Sequence, residues 1–401
     1  MLLKQLSKGN VFKNSLLFSS IKCIFLFLIF TNSFNSVEIK ELMNKIFPIN
    51  QYNSPKIYPL NEFFNNSNKT NSILIFEPFN YHYECTPGYS KYFIELGFSV
   101  DIIMNEIGLT AFSIFEQINK IRIFFYKNIQ EIKEFAEYFS FTFIKYDYIL
   151  VQTTEPKEYK LYKNFNLFNI NHSFFVFHHL DFVNYKKFSK LVKNRIWSLG
   201  NFSSAIQVNP HYFGKIKRRK KNKITKFFIT STKNRRYQFL ISAAETIKNN
   251  NLKFHVIVVG KWNAFSEDDL SYNIKNHFTF KYRISYTELY QEVSDSDYII
   301  INLDPDNIED NEFKNIRVTG SAQLAYGFLK PVLINKEFAN IYNFNSNNSF
   351  IFESSNFIQV MKDAINQENQ DYEKMQTNLF LLSNNIFINS LNNMKNCFTN
   401  L

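Results

Sequence analysis

Short apolar runs separated by polar, turn-forming stretches recur along the chain at the spacing of a repeated strand–helix unit. Residues 73–76 (I-L-I-F) are continuously apolar, which predicts a strand buried on both faces. Residues 78–88 then read as a loop, 89–96 as a helix stopping at Gly97, and 99–104 (S-V-D-I-I-M) as the next strand. Further strands are predicted at 148–152, 174–177 and 204–208. After a basic stretch the pattern restarts, with strands at 226–230, 254–259, 278–282, 298–303 and 331–335 and helices at 237–249, 286–294 and 319–327. Such alternation predicts an α/β fold of two Rossmann-like, doubly wound domains facing a cleft. The expected boundaries are an N-terminal segment at 1–71, a first domain at 72–212, a basic linker at 213–226, a second domain at 227–367 and a helical tail at 368–401.

Two stretches stand outside this pattern. Residues 21–30 are nearly all apolar but carry Lys22, and Lys4, Lys8 and Lys13 precede them. A spanning helix needs about 20 apolar residues. A membrane anchor, an interfacial segment and a buried hairpin all fit this run. The expected location is cytoplasmic, with peripheral attachment to the inner membrane face. Residues 65–71 (N-N-S-N-K-T-N) read as a polar linker.

Composition adds three limits. The chain has 401 residues, more than the ~250–300 at which single cores stop growing, so two domains are expected. Its 47 Phe and 23 Tyr accompany many Asn, Lys and Ile, a pattern of A/T-rich codon usage, so aromatic number alone points to no ligand. The net charge of +11 is densest at 215–226 (K-I-K-R-R-K-K-N-K-I-T-K), which reads as a solvated linker or as a contact for an anionic membrane surface. No nucleic-acid-binding module surrounds it, and no nucleic-acid partner is expected. Cys23, Cys85 and Cys397 are too few and too scattered for a metal cluster or a disulfide framework.

Residues 294–303 (S-D-S-D-Y-I-I-I-N-L) and 317–335 (R-V-T-G-S-A-Q-L-A-Y-G-F-L-K-P-V-L-I-N) place a strand, a small-residue helix start and a short strand in succession. This core resembles glycosyltransferase family 4, group 1, which has the GT-B architecture, and residues 74–104 resemble its acceptor domain. The resemblance implies a hexosyltransferase-type enzyme that moves a sugar from a nucleotide-diphosphate donor to a glycan or lipid-linked acceptor, with no metal and no cofactor beyond that substrate. The family usually carries two glutamates spaced eight apart, where this chain has Asn315 and Gln323. Its retention of anomeric configuration is therefore not carried over.

The residues themselves favour diphosphate at the helix after Arg317. A helix N-terminus exposes unpaired N–H groups and about half a positive charge. Thr319 can cap it, Gly320 and Ser321 let a phosphate approach the backbone, and Arg317 adds charged donors. For Lys233 and Arg235, after the first strand of the second domain, the resemblance implies that they neutralise the leaving diphosphate. Residues 260–262 and 280–284 are the expected surroundings of the base. His178 and His179 close a strand and should face the cleft, where the resemblance implies contact with the donor sugar and Asp181 could orient one ring. On the acceptor side lie His82, Glu84, Cys85 and Gly88, with Glu84 or His82 as general base for an inverting reaction. Asp304 and Asp306 have a metal-like spacing that also arises by chance, as at 295–297. Two other readings remain, a sugar-nucleotide epimerase of the same architecture and a non-catalytic binding or scaffold protein.

Overall fold

A computed structural model describes residues 55–63, 71–113, 115, 120–139, 145–155, 159–180, 188–192, 195–202, 205–211, 220–232, 235–260 and 265–399. The N-terminal apolar run, the first part of the basic stretch (213–219), Cys23, Asp181, Lys233, Lys261 and Trp262 lie outside the described residues.

The first sheet contains β1 (Lys56–Pro59), β2 (Ser72–Phe76), β3 (Ser99–Asn105), β4 (Ile121–Tyr126), β5 (Tyr148–Val151), β6 (Ser173–Phe177), β7 (Ile196–Ser198) and β8 (Ile206–Gln207). Its order is β1-β4-β3-β2-β5-β6-β7-β8, and every pairing is parallel. Helices α1 (Thr86–Glu95), α2 (Ile129–Phe139) and α3 (Tyr159–Asn164) belong to this half. The second sheet contains β9 (Thr225–Ser231), β10 (Phe254–Gly260), β11 (Phe278–Tyr282), β12 (Tyr298–Ile301), β13 (Val332–Asn335) and β14 (Ser349–Phe352), in the order β11-β10-β9-β12-β13-β14, again all parallel. Helices α4 (Gln238–Asn249), α5 (Tyr286–Asp295), α6 (Gly320–Phe328), α7 (Lys336–Ala339), α8 (Phe357–Asn366) and α9 (Asn369–Thr399) complete the chain. These are two doubly wound Rossmann-like sheets.

Both sheets are covered on both faces, which explains the unbroken apolar strands. In β2, Ile73 and Ile75 enter one core and Leu74 and Phe76 the other. The structure shifts two boundaries and adds a strand. Strand β1 pairs with β4, so the first sheet begins upstream of residue 72. Strand β4 escapes the apolar pattern because Arg122 interrupts it; that side chain is buried and paired with Asp101 of β3, which also accepts from the Tyr146 hydroxyl at 2.7 Å. Helix α1 starts within the expected loop, with Pro87 in its first turn, where its missing N–H is harmless.

The expected tail is a strap. Helix α9 buries Leu379 among second-domain residues and Met394 and Cys397 among first-domain residues. Its Ser390 hydroxyl accepts from Asn209 N at 3.0 Å, and Ser383 Oγ lies 2.7 Å from His211 Nε2. Lys221, from the basic stretch, donates to the carbonyls of Ala364, Ile365 and Gln367 and so caps the end of α8. Among the described residues no helix is long and apolar enough to cross a membrane.

Candidate functional site

In each sheet the chain reverses direction beside the first central strand: β2 lies between β3 and β5, and β9 between β10 and β12. Such switch points open crevices at the carboxyl ends of the strands. In the second domain the crevice is walled by the start of α6. Thr319 has extended backbone (φ −77°, ψ 134°) as an N-cap should, but its side chain makes no capping bond. Gly320 is exposed, and a Cβ there would meet nothing within 4 Å. Ser321 Oγ lies 3.0 Å from Thr230 Oγ1, near the carboxyl end of β9. The Tyr342 hydroxyl accepts from Thr319 N (3.4 Å) and donates to Phe313 O (3.0 Å), which fixes the entry to the helix. Gln323 is only 6% exposed, and neither its amide nitrogen nor its oxygen has a partner among the described residues. An unpaired buried amide costs about 1–3 kcal/mol, so it marks a place where a bound group would be welcome.

Arg317 lies just before this helix. Its guanidinium stacks on the Phe313 ring at 4.2 Å, with Nε 3.3 Å from Glu312 Oε2 but without hydrogen-bonding geometry. Arg235 covers the same ring, 4.9 Å from its centroid. Arg235 has partners within its own domain. Its Nη1 is ion-paired with Asp310 at 2.5 Å and donates to Asn302 O at 2.8 Å, and its Nε lies 3.3 Å from Thr232 Oγ1. Burial lowers its pKa, against the pull of Asp310. Arg235 clamps the 3-10 turn at Ile308–Lys314, which in turn seats Arg317. An acidic partner in a loop of variable appearance gave no sequence signal. Asp304 is likewise occupied: it lies 3.3 Å from Arg236 Nη1 and accepts from Asp306 N at 3.0 Å. The described residues contain no cluster of three or more metal-ligating side chains.

In the first domain His82 and His178 meet. Their rings stack at 3.9 Å with 4° between planes. His82 has a left-handed backbone (φ 64°), unusual for a non-glycine residue and held by the Gln152 amide, which donates to its carbonyl at 2.9 Å. The same amide donates to Glu77 Oε2 at 2.9 Å, and Thr153 Oγ1 donates to that oxygen too. Glu77 follows β2 directly and was not singled out from the sequence, because a single acid after an apolar run resembles any strand end. It is fully buried, and burial pushes its carboxyl well above the usual range despite these donors.

His178 donates from Nε2 to Gln152 O at 3.1 Å; burial first, then the charge of His82, hold it well below the ordinary imidazole range. Burial alone would raise Glu84, but its hydrogen bond to His82 and the charge of that ring outweigh it, and the carboxyl is pulled down to about 2. A carboxylate held that low is a poor proton acceptor near neutrality. His82 Nδ1 lies 3.4 Å from Glu84 Oε1, and Tyr286 of the second domain donates to Glu84 Oε2 at 2.9 Å.

His179 points elsewhere. It forms an isolated antiparallel bridge with Arg317, Leu180 N donates to Ile316 O at 3.0 Å, and His179 Nε2 lies 3.5 Å from Glu312 Oε2. Thus His178 and His179 link the stacked rings of one domain to the arginine of the other. Gly88 is not an open loop residue but a packing one. A Cβ there would come within 2.8 Å of the His211 carbonyl oxygen. Cys85 is buried, and burial with the charges of Glu84 and Glu77 keeps its thiol protonated.

No protein-family model matches the chain, and no curated protein sequence matches it. Solved structures do. ADP-heptose LPS heptosyltransferase II of E. coli matches with a TM-score of 0.46 at 8% identity, over 73% of this chain and 98% of that one. An α-glucosyltransferase in complex with UDP and a 13-mer DNA gives 0.46 at 10% identity, over 80% and 100%. A UDP-N-acetylglucosamine 2-epimerase from Listeria monocytogenes gives 0.43 at 11%, over 77% and 91%. Likeness at that distance transfers no chemistry to this chain.

Proposed function

We propose that the protein is a glycosyltransferase that binds the diphosphate of a nucleotide sugar at the start of α6 and transfers the sugar to a hydroxyl acceptor, a glycan or lipid-linked sugar. The observation that carries this reading is the α6 N-terminus itself. It lacks a side-chain cap, has open space over Gly320, has Arg317 beside it and has the unpaired Gln323 amide in its first turn. Backbone N–H groups and Arg317 would hold the phosphates, and the Gln323 amide would pair with a polar group of the same ligand. The absence of glutamates at positions 315 and 323 fits a reaction that does not use the retaining relatives' carboxylates.

The stacked histidines supply the rest. With Nδ1–H donated to Glu84, His82 presents Nε2 as a base. It would take the proton of the acceptor hydroxyl while that oxygen bonds to the anomeric carbon. The bond from that carbon to the phosphate oxygen breaks, and its electron pair leaves with the diphosphate, where the helix terminus and Arg317 stabilise the charge. One displacement of this kind inverts the anomeric centre.

Calorimetric titration with a panel of nucleotide sugars, followed by product analysis with and without acceptors, tests the proposal. Binding by none of the panel contradicts it. Conversion of the free nucleotide sugar without an acceptor would assign an epimerase instead.

A further inference from the structure

The hydrogen bond between Tyr286 and Glu84 joins the two domains at the carboxylate that pairs with His82. Tyr286 is the first residue of α5, whose start is rigid. Ser285 caps it, accepting from Glu288 N at 3.2 Å, while Glu288 accepts from Ser285 N at 2.8 Å. The Tyr286 ring packs with the cores of both domains and lies edge-on to Tyr83 at 6.4 Å. Its hydroxyl is therefore delivered by the donor-binding domain to a fixed point on the acceptor side.

We propose that Tyr286 is a positioning residue for the His82–Glu84 pair, so that the base is set in its working geometry only when the second domain is docked on the first. This rests on the reading of His82 as the base. The Glu84 carboxylate has two oxygens and divides them between the domains: Oε1 faces His82 Nδ1 and Oε2 accepts from Tyr286. The phenol fixes the carboxylate's rotation and draws part of its negative charge away from the imidazole. The other titratable groups around the pair are His178 on the ring face, Tyr81 edge-on to His82 at 5.1 Å, and Glu77, Tyr83 and Cys85, all of the first domain. None of these comes from the second domain. The phenol stays neutral, because burial and the neighbouring Glu84 charge raise it. It is thus a constant donor, and its contribution changes with domain position and not with pH.

Tyr286→Phe removes the donor and keeps the ring packing. The expected result is a fall in kcat of roughly tenfold or more, with donor KM changed less than about twofold. The acid limb of the kcat profile should move upward, because Glu84 then turns its whole charge on His82. The double variant with Glu84→Gln should show no further shift, since the carboxylate through which the phenol acts is gone. An unchanged acid limb in Tyr286→Phe, or additive shifts in the double variant, would overturn the proposal. Titration of the His82 ring proton by NMR reads the same coupling without substrate. A wild-type protein that transfers no sugar would therefore end the glycosyltransferase reading, whereas an unmoved His82 titration in Tyr286→Phe would end this one. Thermal unfolding of the variant, expected to stay within a few degrees of wild type, separates positioning from loss of fold.

Discussion

His82 and Gln323 show best what single residues contribute. His82 carries a strained backbone, a stacked imidazole and a carboxylate partner in one place. His82→Gln should lower kcat by about 10²–10⁴-fold, the usual contribution of a general base, while leaving donor affinity within a factor of two in calorimetry. Gln323 makes the opposite kind of contribution, since the free protein gains nothing from its unpaired amide. Gln323→Met should stabilise the free protein by about 1 kcal/mol in denaturant titrations and weaken nucleotide-sugar binding. A variant that is less stable yet binds as tightly would show the amide to be structural. His82 and Gln323 were both visible in the sequence, Gln323 only as a departure from a glutamate. The stacking of His82 on His178 was not, because residues far apart in sequence meet only through the pairing of β2, β5 and β6.

At the scale of elements, continuous apolar runs such as 73–76 and 298–301 announced central strands because covered sheets bury both faces of each strand. Strand β4 was hidden, whereas β3, which carries the other half of the same charge pair, was read from its apolar neighbours. In β4 the Arg122–Asp101 pair supplies a polar residue that the pattern takes for solvent. The two site glycines separate in the same way. Gly88 admits a backbone segment at 2.8 Å, so Gly88→Ala should cost more than about 2 kcal/mol. Gly320 faces open space, so Gly320→Ala should change stability by no more than about 0.5 kcal/mol. Thermal unfolding of the two variants side by side checks both. The partner of Arg235 was not legible in the sequence. Positive charge after a first strand looks like a phosphate site, and only the fold brings Asp310 to it.

The whole molecule is held by α9, which the sequence shows only as a polar helical tail. Its long reach across both domains depends on a few buried contacts, among them His211 with Ser383. Burial holds His211 down at about 3, against a backbone hydrogen bond that raises it. The unfolded chain takes up this proton near pH 6.5 and the folded one does not, so the stabilisation is complete above that pH and is lost as pH falls toward 3. By pH 5 the loss should approach about 2 kcal/mol. His211→Gln should be less stable than wild type at pH 7 but should flatten that slope, and denaturant titrations at both pH values would show it. The fold class was legible because periodicity is local. The candidate site lies between the sheets, joined by contacts such as Tyr286 with Glu84 that no local pattern announces.

The central claim is that a diphosphate sits at the start of α6. Calorimetric titration with a nucleoside, its monophosphate and its diphosphate, in wild type and in Arg317→Ala, tests it most directly. The expected result is an increase in affinity from nucleoside to diphosphate, and a loss of about tenfold or more for the diphosphate in the variant with little change for the nucleoside. Equal affinity of Arg317→Ala and wild type for the diphosphate, or no gain from the phosphates in either, would contradict the assignment.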